Sequence, residues 1–412
     1  MSPKTLTFRH TRISCNVGSF AQGLSMNLTP FLFVPLKSLY GISYTELGFL
    51  VLVNFIAQFV ADMSFGYLVN KYGYRFFCIL SQLAITIGLV LFALTPWIAP
   101  NAIYPLLVVS TVIFSAAIGL NEVILAPVIN TIPAQRKGSN LSFMHACFAG
   151  GIFSAALFTT LFLYVFGNEM WFIIVILWSL IPLFNSILFI KVPLPEITPE
   201  NKRMKLASLI RHPMFIISFF AIFFGGATEL LIVQWGSSYL EKGIGLAKAV
   251  GDVGGLCSLA IMLGIGRIIF AKAGNKINLN NLMIGGSFAC IICYIILALT
   301  PYAWLVFLAF GLIGLFSCML WTGTLLVASN HLPYTGVIIY ALLAGGGDLG
   351  TAFTGQLVGW LSDFFALRSP TGLTITAEQY GLRMAIAIAI IVPVLSMIFQ
   401  MILKKLAPYK NK

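Results

Sequence analysis

This 412-residue chain has little charge and little chemistry of the kind that enzymes use. Asp, Glu, Lys and Arg together make up 9% of the residues, and there are only four histidines. The sequence has no His-Glu-x-x-His zinc motif, no Gly-x-Ser-x-Gly nucleophile turn and no phosphate loop ending in Gly-Lys-Ser/Thr. It therefore predicts neither an enzyme nor an ATP-driven pump, and no cofactor or metal is expected.

Long polar segments are also scarce. Hydrophobic residues make up 59% of the chain, and the mean hydropathy of +0.97 lies far above the range of soluble domains. The polar tails are about a dozen residues each, which disfavours a receptor with an appended soluble domain. The composition predicts an all-helical integral membrane protein.

The seven cysteines carry no predicted function. All of them fall within apolar runs, where a small buried thiol is the ordinary interpretation. Cys290 and Cys293 have the spacing of a redox motif but lie inside an apolar run without other reactive groups. We assign none of the cysteines a role.

Runs of about 20 apolar residues, separated by turns or charges, predict twelve transmembrane helices. The polar stretch 193–212 divides them into six and six, so the predicted units are an N-terminal half (1–192), a linker (193–212) and a C-terminal half (213–412). The spans are expected near 15–39, 46–69, 76–96, 102–132, 139–166, 169–191, 213–240, 246–271, 279–300, 302–326, 335–362 and 380–404.

The basic residues predict the orientation. Most of the 24 lysines and arginines lie in the tails and in the loops on the side of the N-terminus. By the positive-inside rule both termini and the linker are cytoplasmic, in the plasma or inner membrane of the cell. The basic residues behind the net charge of +12 are expected to lie beside anionic lipid headgroups. Membrane lipids are therefore expected partners, and nucleic acid is not.

A short basic turn between the second and third spans gives the first family resemblance. Residues 66–75 resemble the signature loop of the major facilitator superfamily, Gly-x-Leu-x-Asp-Arg-x-Gly-Arg-Arg, and a weak echo lies near residue 267. The resemblance implies two pseudo-symmetric six-helix halves that transport a solute by alternating access. The residues assigned to this conformational loop and its echo are Asp62, Gly66, Asn70, Lys71, Gly73, Arg75 and Arg267; Asn70 stands where the family has its acidic residue.

Each residue type in this loop has an expected role. Gly66 and Gly73 are expected to let backbones approach closely, and Lys71 and Arg75 to hold the loop among the lipid headgroups. Asp62 lies one turn before Gly66 on the same helix face, so a structural link to the loop is expected.

Ionisable residues inside spans cost about 2.5–3.5 kcal/mol each at a helix centre, so they are functional candidates. Glu122 lies five residues before Pro127 in the fourth span. Together with residues 23–28 and 140–151, this arrangement resembles the fucose permease branch of the superfamily. The resemblance implies proton-coupled sugar uptake with Glu122 as the proton carrier, although Pro30 stands where a second acid is found in that branch. The alternative is a packed, permanently protonated acid.

His145 is the second proton-coupling candidate. The fourth and fifth spans run antiparallel across a short loop, which places His145 and Glu122 within about one helical turn of the same depth. A carboxylate beside an imidazole can form a proton relay, while a structural hydrogen bond is an equal alternative.

Three neighbouring residues in the seventh span suggest a solute-binding wall. Glu229, Gln234 and Trp235 bring an acid, an amide and an aromatic ring together, and relatives of the fucose permease branch show a similar pattern. Glu229 is a candidate for both proton coupling and substrate binding. The alternative is a hydrogen bond within the helix bundle.

Asp348 follows three glycines in the eleventh span. These glycines predict either a local break or very close helix packing. Asp348 is a candidate for proton coupling and substrate binding, or for capping a broken helix. Gln22 and Asn27 in the first span and Asn121 in the fourth complete the predicted substrate contacts.

The charge pattern limits the substrate. No lysine or arginine is expected deep in a span, since Lys37 and Arg267 are near surfaces and can extend towards water. Anionic substrates are therefore disfavoured, and a sugar or another small neutral polar solute is favoured, with protons as the coupling ion and a monomeric protein. The alternative is a proton-driven exporter of cationic or amphipathic compounds, using Glu122, Glu229 and Asp348.

Overall fold

The computed structural model describes residues 6–42, 44–133, 139–196, 206–273, 276–332, 335, 338–370 and 375–407. These residues form helices and connecting turns without a β-strand. The chain divides into two compact units: residues 1–209 with 333–345, and residues 210–332 with 346–412.

The first unit contains the helices of the first six predicted spans. They are α1 (Phe8–Met26), α2 (Leu28–Phe31), α3 (Phe33–Tyr40), α4 (Tyr44–Tyr72), α5 (Tyr74–Ile98), α6 (Ile103–Thr131), α7 (Ser139–Phe166) and α8 (Trp171–Lys191), followed by the short α9 (Leu206–Ile210). Within this unit α6 packs against α4 and α5, α1 packs against α7, and α5 packs against α8.

The remaining helices are those of the last six predicted spans. They are α10 (Pro213–Ser238), α11 (Lys248–Gly251), α12 (Cys257–Ala273), α13 (Leu279–Leu299), α14 (Ala303–Ser317), α15 (Leu320–His331), α16 (Ile338–Ala366), α17 (Ala377–Ala389) and α18 (Ile391–Leu406). Single π-helical turns extend α10 (Tyr239–Gly243) and precede α12 (Asp252–Leu256).

Nine helical segments in the described part of the chain are long and apolar enough to cross a membrane. Many large apolar side chains on these segments are exposed, including Phe184, Leu299 and Trp304. Exposed apolar side chains of this kind are stable against lipid and unfavourable in water. The predicted class, an all-helical protein that crosses the membrane many times, is confirmed.

The first predicted span is interrupted close to its centre. The α1 helix ends at Met26 and α2 begins at Leu28, with Asn27 between them in a non-helical conformation. Pro30 has no N–H to donate back to the preceding turn, so the helical hydrogen bonds cannot continue through it. The Asn27 side chain donates from Nδ2 to the Gly23 carbonyl at 2.9 Å and thereby satisfies part of the open end of α1.

The predicted loop at residues 66–75 is much shorter than expected. The α4 helix continues through Lys71 to Tyr72, and α5 begins at Tyr74, so Gly73 alone forms the turn. Gly73 has a φ of +94°, and a Cβ placed there would meet nothing within 4 Å. The expectation that Gly73 allows close backbone approach is therefore wrong: this position requires glycine for its dihedral angle. The surroundings of Gly66 and the side chain of Asn70 lie outside the described part of the structure.

All seven cysteines are free thiols. Six of them are buried, and only Cys147 is partly exposed.

Candidate functional site

Polar side chains from four helices of the first unit form one continuous hydrogen-bonded network. Gln22 lies on α1, Gln82 on α5, Asn121 and Glu122 on α6, and Asn185 on α8. Gln22, Gln82, Asn121 and Asn185 are all buried. Because isolated amides are costly in an apolar helix bundle, their mutual hydrogen bonds fix the relative positions of these helices.

Asn121 is the centre of this network. Its Nδ2 donates to the Gly18 carbonyl at 3.1 Å and to Gln22 Oε1 at 3.2 Å. Its Oδ1 accepts from Gln82 Nε2 at 2.6 Å and from Ser81 Oγ at 3.4 Å. Both polar ends of Asn121 are thus used by the protein, so the geometry favours a positioning role over the predicted substrate contact.

Glu122 is tied to the network through Gln22. With its carbonyl oxygen accepting from Asn121, the Gln22 amide must present its NH₂ group on the other side, and Nε2 donates to Glu122 Oε2 at 2.8 Å. Glu122 is partly exposed, unlike the four buried amides. The network therefore ends in a partly exposed carboxyl group that Gln22 holds.

Gln82 and Asn185 were not predicted from the sequence. Asn185 Nδ2 donates to Gln82 Oε1 at 3.1 Å and to the Ser14 carbonyl at 3.1 Å, which links α8 to α5 and α1. Each residue is a single amide in an otherwise apolar run, and this feature of the sequence could have indicated that it belongs to the site. Only the three-dimensional contacts show that both belong to the chain of groups that ends at Glu122.

His145 and Asn27 lie in the same unit but have different surroundings. His145 is buried in α7, which packs mainly against α1, and its relay with Glu122 stays a prediction. Asn27 is buried and its Nδ2 is used at the end of α1. Asn27 and Gln22, both predicted substrate contacts, therefore have separate partners.

In the second unit, Glu229 forms a buried ion pair. Arg267 Nη2 lies 2.9 Å from Oε1 and 3.0 Å from Oε2 of Glu229. Arg267 Nε donates to the carbonyl of Cys318 at 3.1 Å, where α14 has ended and α15 has not begun. The pair joins α10, α12 and the α14–α15 junction, and each charge compensates the other.

This pair corrects two expectations about Arg267. The side chain is 1% exposed, so it does not extend to the membrane surface, and its part in a conformational loop stays a prediction. The statement that no cation is buried in a span is also wrong. Burial of Arg267 is possible because Glu229 and a free backbone carbonyl receive its N–H groups.

Gln234 and Trp235 face α16 within the same unit. Trp235 Nε1 donates to the Gly355 carbonyl at 3.0 Å, and a Cβ at Gly355 would lie 2.6 Å from Gln234 Oε1. The indole N–H is therefore occupied by the protein. Gln234 Nε2 is buried and has no hydrogen-bond partner among the described residues, and its contact with a solute stays a prediction.

Asp348 is buried in an unbroken helix. The α16 helix runs continuously from Ile338 to Ala366, so the glycines at 345–347 do not break it and Asp348 does not cap a broken end. A Cβ at Gly347 would lie 2.3 Å from the ring of Trp321. The sequence predicted either a local break or very close helix packing at these glycines, and the structure shows close packing.

The basic turn organises the end of α8. Arg75 Nη1 donates to the carbonyls of Phe189 at 3.0 Å and Ile190 at 2.6 Å, and its Nη2 donates to the carbonyl of Val192 at 3.0 Å. Lys71 is exposed, with Nζ 5.0 Å from the centre of the Tyr72 ring. Arg75 therefore caps the C-terminus of α8, where a cation is favourable.

Asp62 does not lie at this surface. It is 0% exposed and packs against α6, where a Cβ at Gly119 would lie 3.0 Å from its Oδ1. The close neighbour of Asp62, Gly119, belongs to α6 and not to the basic loop. The expected link between Asp62 and that loop therefore stays a prediction.

Two helical units with polar networks buried among membrane-spanning segments define a multi-pass membrane protein. The sequence profile of the Major Facilitator Superfamily matches residues 15–355. This chain belongs to the Major Facilitator Superfamily. A search of curated protein sequences found no match.

Solved structures of other membrane transport proteins share the fold. The E. coli fucose:proton symporter FucP is 15% identical, with 95% of this chain and 98% of that chain covered and a TM-score of 0.73. A D-xylose–proton symporter is 15% identical, with 98% and 99% covered and a TM-score of 0.72. A bacterial homologue of the human lysosomal transporter Spinster is 15% identical, with 96% of each chain covered and a TM-score of 0.67.

Proposed function

We propose that this chain is a secondary active transporter that couples the uptake of a sugar, or of another small neutral polar solute, to proton entry. It works by alternating access, with Glu122 as the proton carrier. The observation that supports this proposal is the 2.8 Å hydrogen bond from Gln22 Nε2 to Glu122 Oε2, at the accessible end of a buried network.

A proton carrier must reach water and must also feel the conformation of the protein. Glu122 is partly exposed, which allows it to exchange a proton. Gln22 and Asn121 connect Glu122 to α1, α5 and α8 through their hydrogen bonds. A movement of any of these helices therefore changes the position of the amide that donates to the Glu122 carboxylate. Protonation and helix position are coupled by this bond.

The substrate class follows from the polar groups that are present. Amide and hydroxyl groups suit the hydroxyls of a sugar, and two of the structural neighbours are described as fucose and xylose symporters. The buried cation Arg267 does not favour an anionic solute, because Glu229 already neutralises it. Both termini are proposed to be cytoplasmic, and the protein is proposed to act as a monomer among membrane lipids.

The exporter alternative loses one of its three acidic groups. Glu229 is engaged by Arg267 and presents no free charge to an organic cation. The contacts at Glu122 suit either direction of transport, but the amide-rich surroundings favour a neutral solute. Uptake of a neutral solute is therefore the proposal.

The test is proton entry into proteoliposomes that contain the protein and an internal pH dye. Neutral sugars including L-fucose and D-xylose, polyols, nucleosides and organic cations are added in turn. We expect acidification with a sugar, loss of this signal in Glu122→Gln and survival of radiolabelled sugar exchange in that variant. Glu169→Gln, a change at an acid in the short 3₁₀ turn before α8, is the matched control and should behave as wild type.

Proton movement that occurs only with organic cations would overturn uptake of a neutral solute. Coupling that survives in Glu122→Gln would overturn the assignment of the carrier.

A further inference from the structure

Four buried amide side chains in the first unit are hydrogen-bonded in one direction. Asn185 Nδ2 donates to Gln82 Oε1 at 3.1 Å, and Gln82 Nε2 donates to Asn121 Oδ1 at 2.6 Å. Asn121 Nδ2 donates to Gln22 Oε1 at 3.2 Å, and Gln22 Nε2 donates to Glu122 Oε2 at 2.8 Å. We call these four amides the amide chain. It runs from α8 through α5, α6 and α1, and it ends at Glu122.

Two backbone carbonyls fix the direction of the amide chain. A carbonyl oxygen can only accept a hydrogen bond, so the side-chain atom that faces it must belong to an NH₂ group. Asn185 Nδ2 lies 3.1 Å from the carbonyl oxygen of Ser14, and Asn121 Nδ2 lies 3.1 Å from that of Gly18. Asn185 Oδ1 is buried and has no hydrogen-bond partner among the described residues, so no donor there favours the reverse orientation. The direction is therefore set at two separate points.

The two glutamines of the amide chain take their orientation from these asparagines. If the amide of Gln82 or Gln22 turned over, two oxygen atoms would meet at one of its contacts and two NH₂ groups at the other. Both mismatches would be buried, where an unsatisfied polar group is costly. Because hydrogen bonds that run in one direction polarise one another, each amide also strengthens the donor of the next.

The end of the amide chain therefore presents a donor to Glu122 and not an acceptor. A carboxylate accepts this hydrogen bond strongly because it is charged, whereas the carbonyl oxygen of a carboxylic acid accepts it as a weaker, neutral bond. The acid also needs an acceptor for its O–H, and Gln22 Oε1 is already turned to Asn121. The amide chain thus distinguishes the two charge states of one side chain.

We propose that Gln82 and Asn185 are positioning residues for Glu122, and that the amide chain selects its carboxylate form. Through Asn121 and Gln22 they keep a donor turned towards Glu122. While the chain is intact, Glu122 gives up its proton more readily. A helix movement that separates Gln22 from Glu122 removes this preference and allows a proton to be taken up. The proposal rests on the proposed role of Glu122 as proton carrier and assigns proton release to one state of a single hydrogen bond.

Other ionisable groups near α6 stay the same in the variants that test this chain. The helices α1, α4, α5 and α7 pack against α6, and the start of α16 contacts its end through Asn130 and Tyr340. The described titratable side chains on these elements are Arg9, His10, Arg12 and Cys15 of α1, Glu46, Asp62, Lys71 and Tyr72 of α4, Tyr74, Arg75 and Cys78 of α5, Tyr104 of α6, His145, Cys147 and Tyr164 of α7, and Tyr340 of α16. The side chains of Tyr44 and Tyr67 lie outside the described part of the structure. Every amide variant below keeps all of these groups, so a change in the charge of Glu122 comes from the amides.

Infrared spectroscopy of the reconstituted protein, without any solute, measures the charge of Glu122. The carboxylic acid C=O band that is lost in Glu122→Gln identifies the protonated form, and its intensity across a pH series gives the pH of half-protonation. Gln22→Leu should raise this pH by about 1 unit or more, because it removes the donor itself. Gln82→Leu and Asn185→Leu leave Gln22 in place and should each raise it by about 0.3–0.5 unit.

Gln400→Leu is the matched control for the loss of a buried amide. Gln400 is 1% exposed, and its Nε2 donates to Thr324 Oγ1 at 2.9 Å within the second unit, away from the amide chain. This variant should lose a similar hydrogen bond and leave the half-protonation pH of Glu122 unchanged. A purely structural effect of lost amides would not separate it from Gln82→Leu.

The proposal is overturned if Gln82→Leu and Asn185→Leu titrate as wild type does, or if the half-protonation pH falls. A Glu122 that stays an acid at every pH would overturn it as well, because the chain would then hold no carboxylate. The two variants change different helices, so either one tests the chain if the other does not fold. The measurement needs no solute. Absent shifts would leave sugar uptake through Glu122 standing, and absent proton entry with a sugar would leave the shifts standing.

Discussion

Arg267 Nη2 lies 2.9 Å from Oε1 and 3.0 Å from Oε2 of Glu229, with both side chains almost fully buried. The two charges compensate each other, and the same guanidinium also satisfies the open carbonyl of Cys318. A single cation thus stabilises both an intramembrane acid and the interruption of the tenth predicted span. Loss of this cation would leave both groups unsatisfied in an apolar interior.

Replacing Arg267 with methionine should destabilise the protein strongly. The change leaves Glu229 as an uncompensated buried charge, which typically costs about 3–5 kcal/mol. Thermal unfolding of the purified protein in detergent measures the effect. The double variant Glu229→Gln/Arg267→Met should recover most of the loss; if it is no more stable than Arg267→Met, the charge pair is not the source of the stability.

Replacing Asn121 with leucine should reduce stability by about 2–4 kcal/mol. The change leaves the Gln82 N–H group and the Gln22 carbonyl without their partners, and each buried unsatisfied group costs about 1–3 kcal/mol. Asn101→Leu, in an exposed turn, is the control and should change little. A stable Asn121→Leu protein with weakened solute binding would instead support the predicted substrate contact.

Replacing Gly73 with alanine should cost about 1–3 kcal/mol, because a side chain is strained at a φ of +94°. Gly285→Ala is the matched control: it lies within a helix, and a Cβ there meets nothing within 4 Å. That variant should be neutral or slightly more stable, since alanine is the better helix former. Equal unfolding temperatures for the two variants would show that the turn relaxes around the added methyl group.

Replacing Arg75 with alanine should destabilise the end of α8 by about 1–2 kcal/mol, because three backbone carbonyls lose their donor. Arg75→Lys should recover only part of this, since an ammonium group lacks the planar fork that reaches three carbonyls. Hydrogen exchange of the residues at the end of α8 reports the effect. Lys71→Ala, at an exposed side chain, should leave that exchange unchanged.

The sequence predicts the spans well, because long apolar runs have few alternatives in a membrane. It also marks Gln22 and Glu122 as candidate site residues, since amides and acids are rare in such runs. Their mutual contact was not predictable, because it depends on how α1 and α6 are rotated about their axes. Gln82 and Asn185 were missed for the same reason. Each is a single amide on its helix, and the sequence does not show which way that side of the helix faces.

Arg267 shows why sequence position alone misplaces a charged side chain. It lies six residues before the end of α12, close enough to the surface for a flexible side chain to reach water. The side chain instead turns inward, because Glu229 and the Cys318 carbonyl lie on adjacent helices. Such a choice depends on partners far away along the chain, which no local pattern contains.

The burial of the native thiols makes this transporter a nearly silent background for site-directed labelling. Only Cys147 is partly exposed, so Cys147→Ser should remove most reaction with a water-soluble maleimide. A single cysteine introduced at the exposed Lys71 could then carry a fluorophore beside the Gly73 turn. Its emission would report movement of this turn directly, without the need to rebuild a core that already contains six buried thiols.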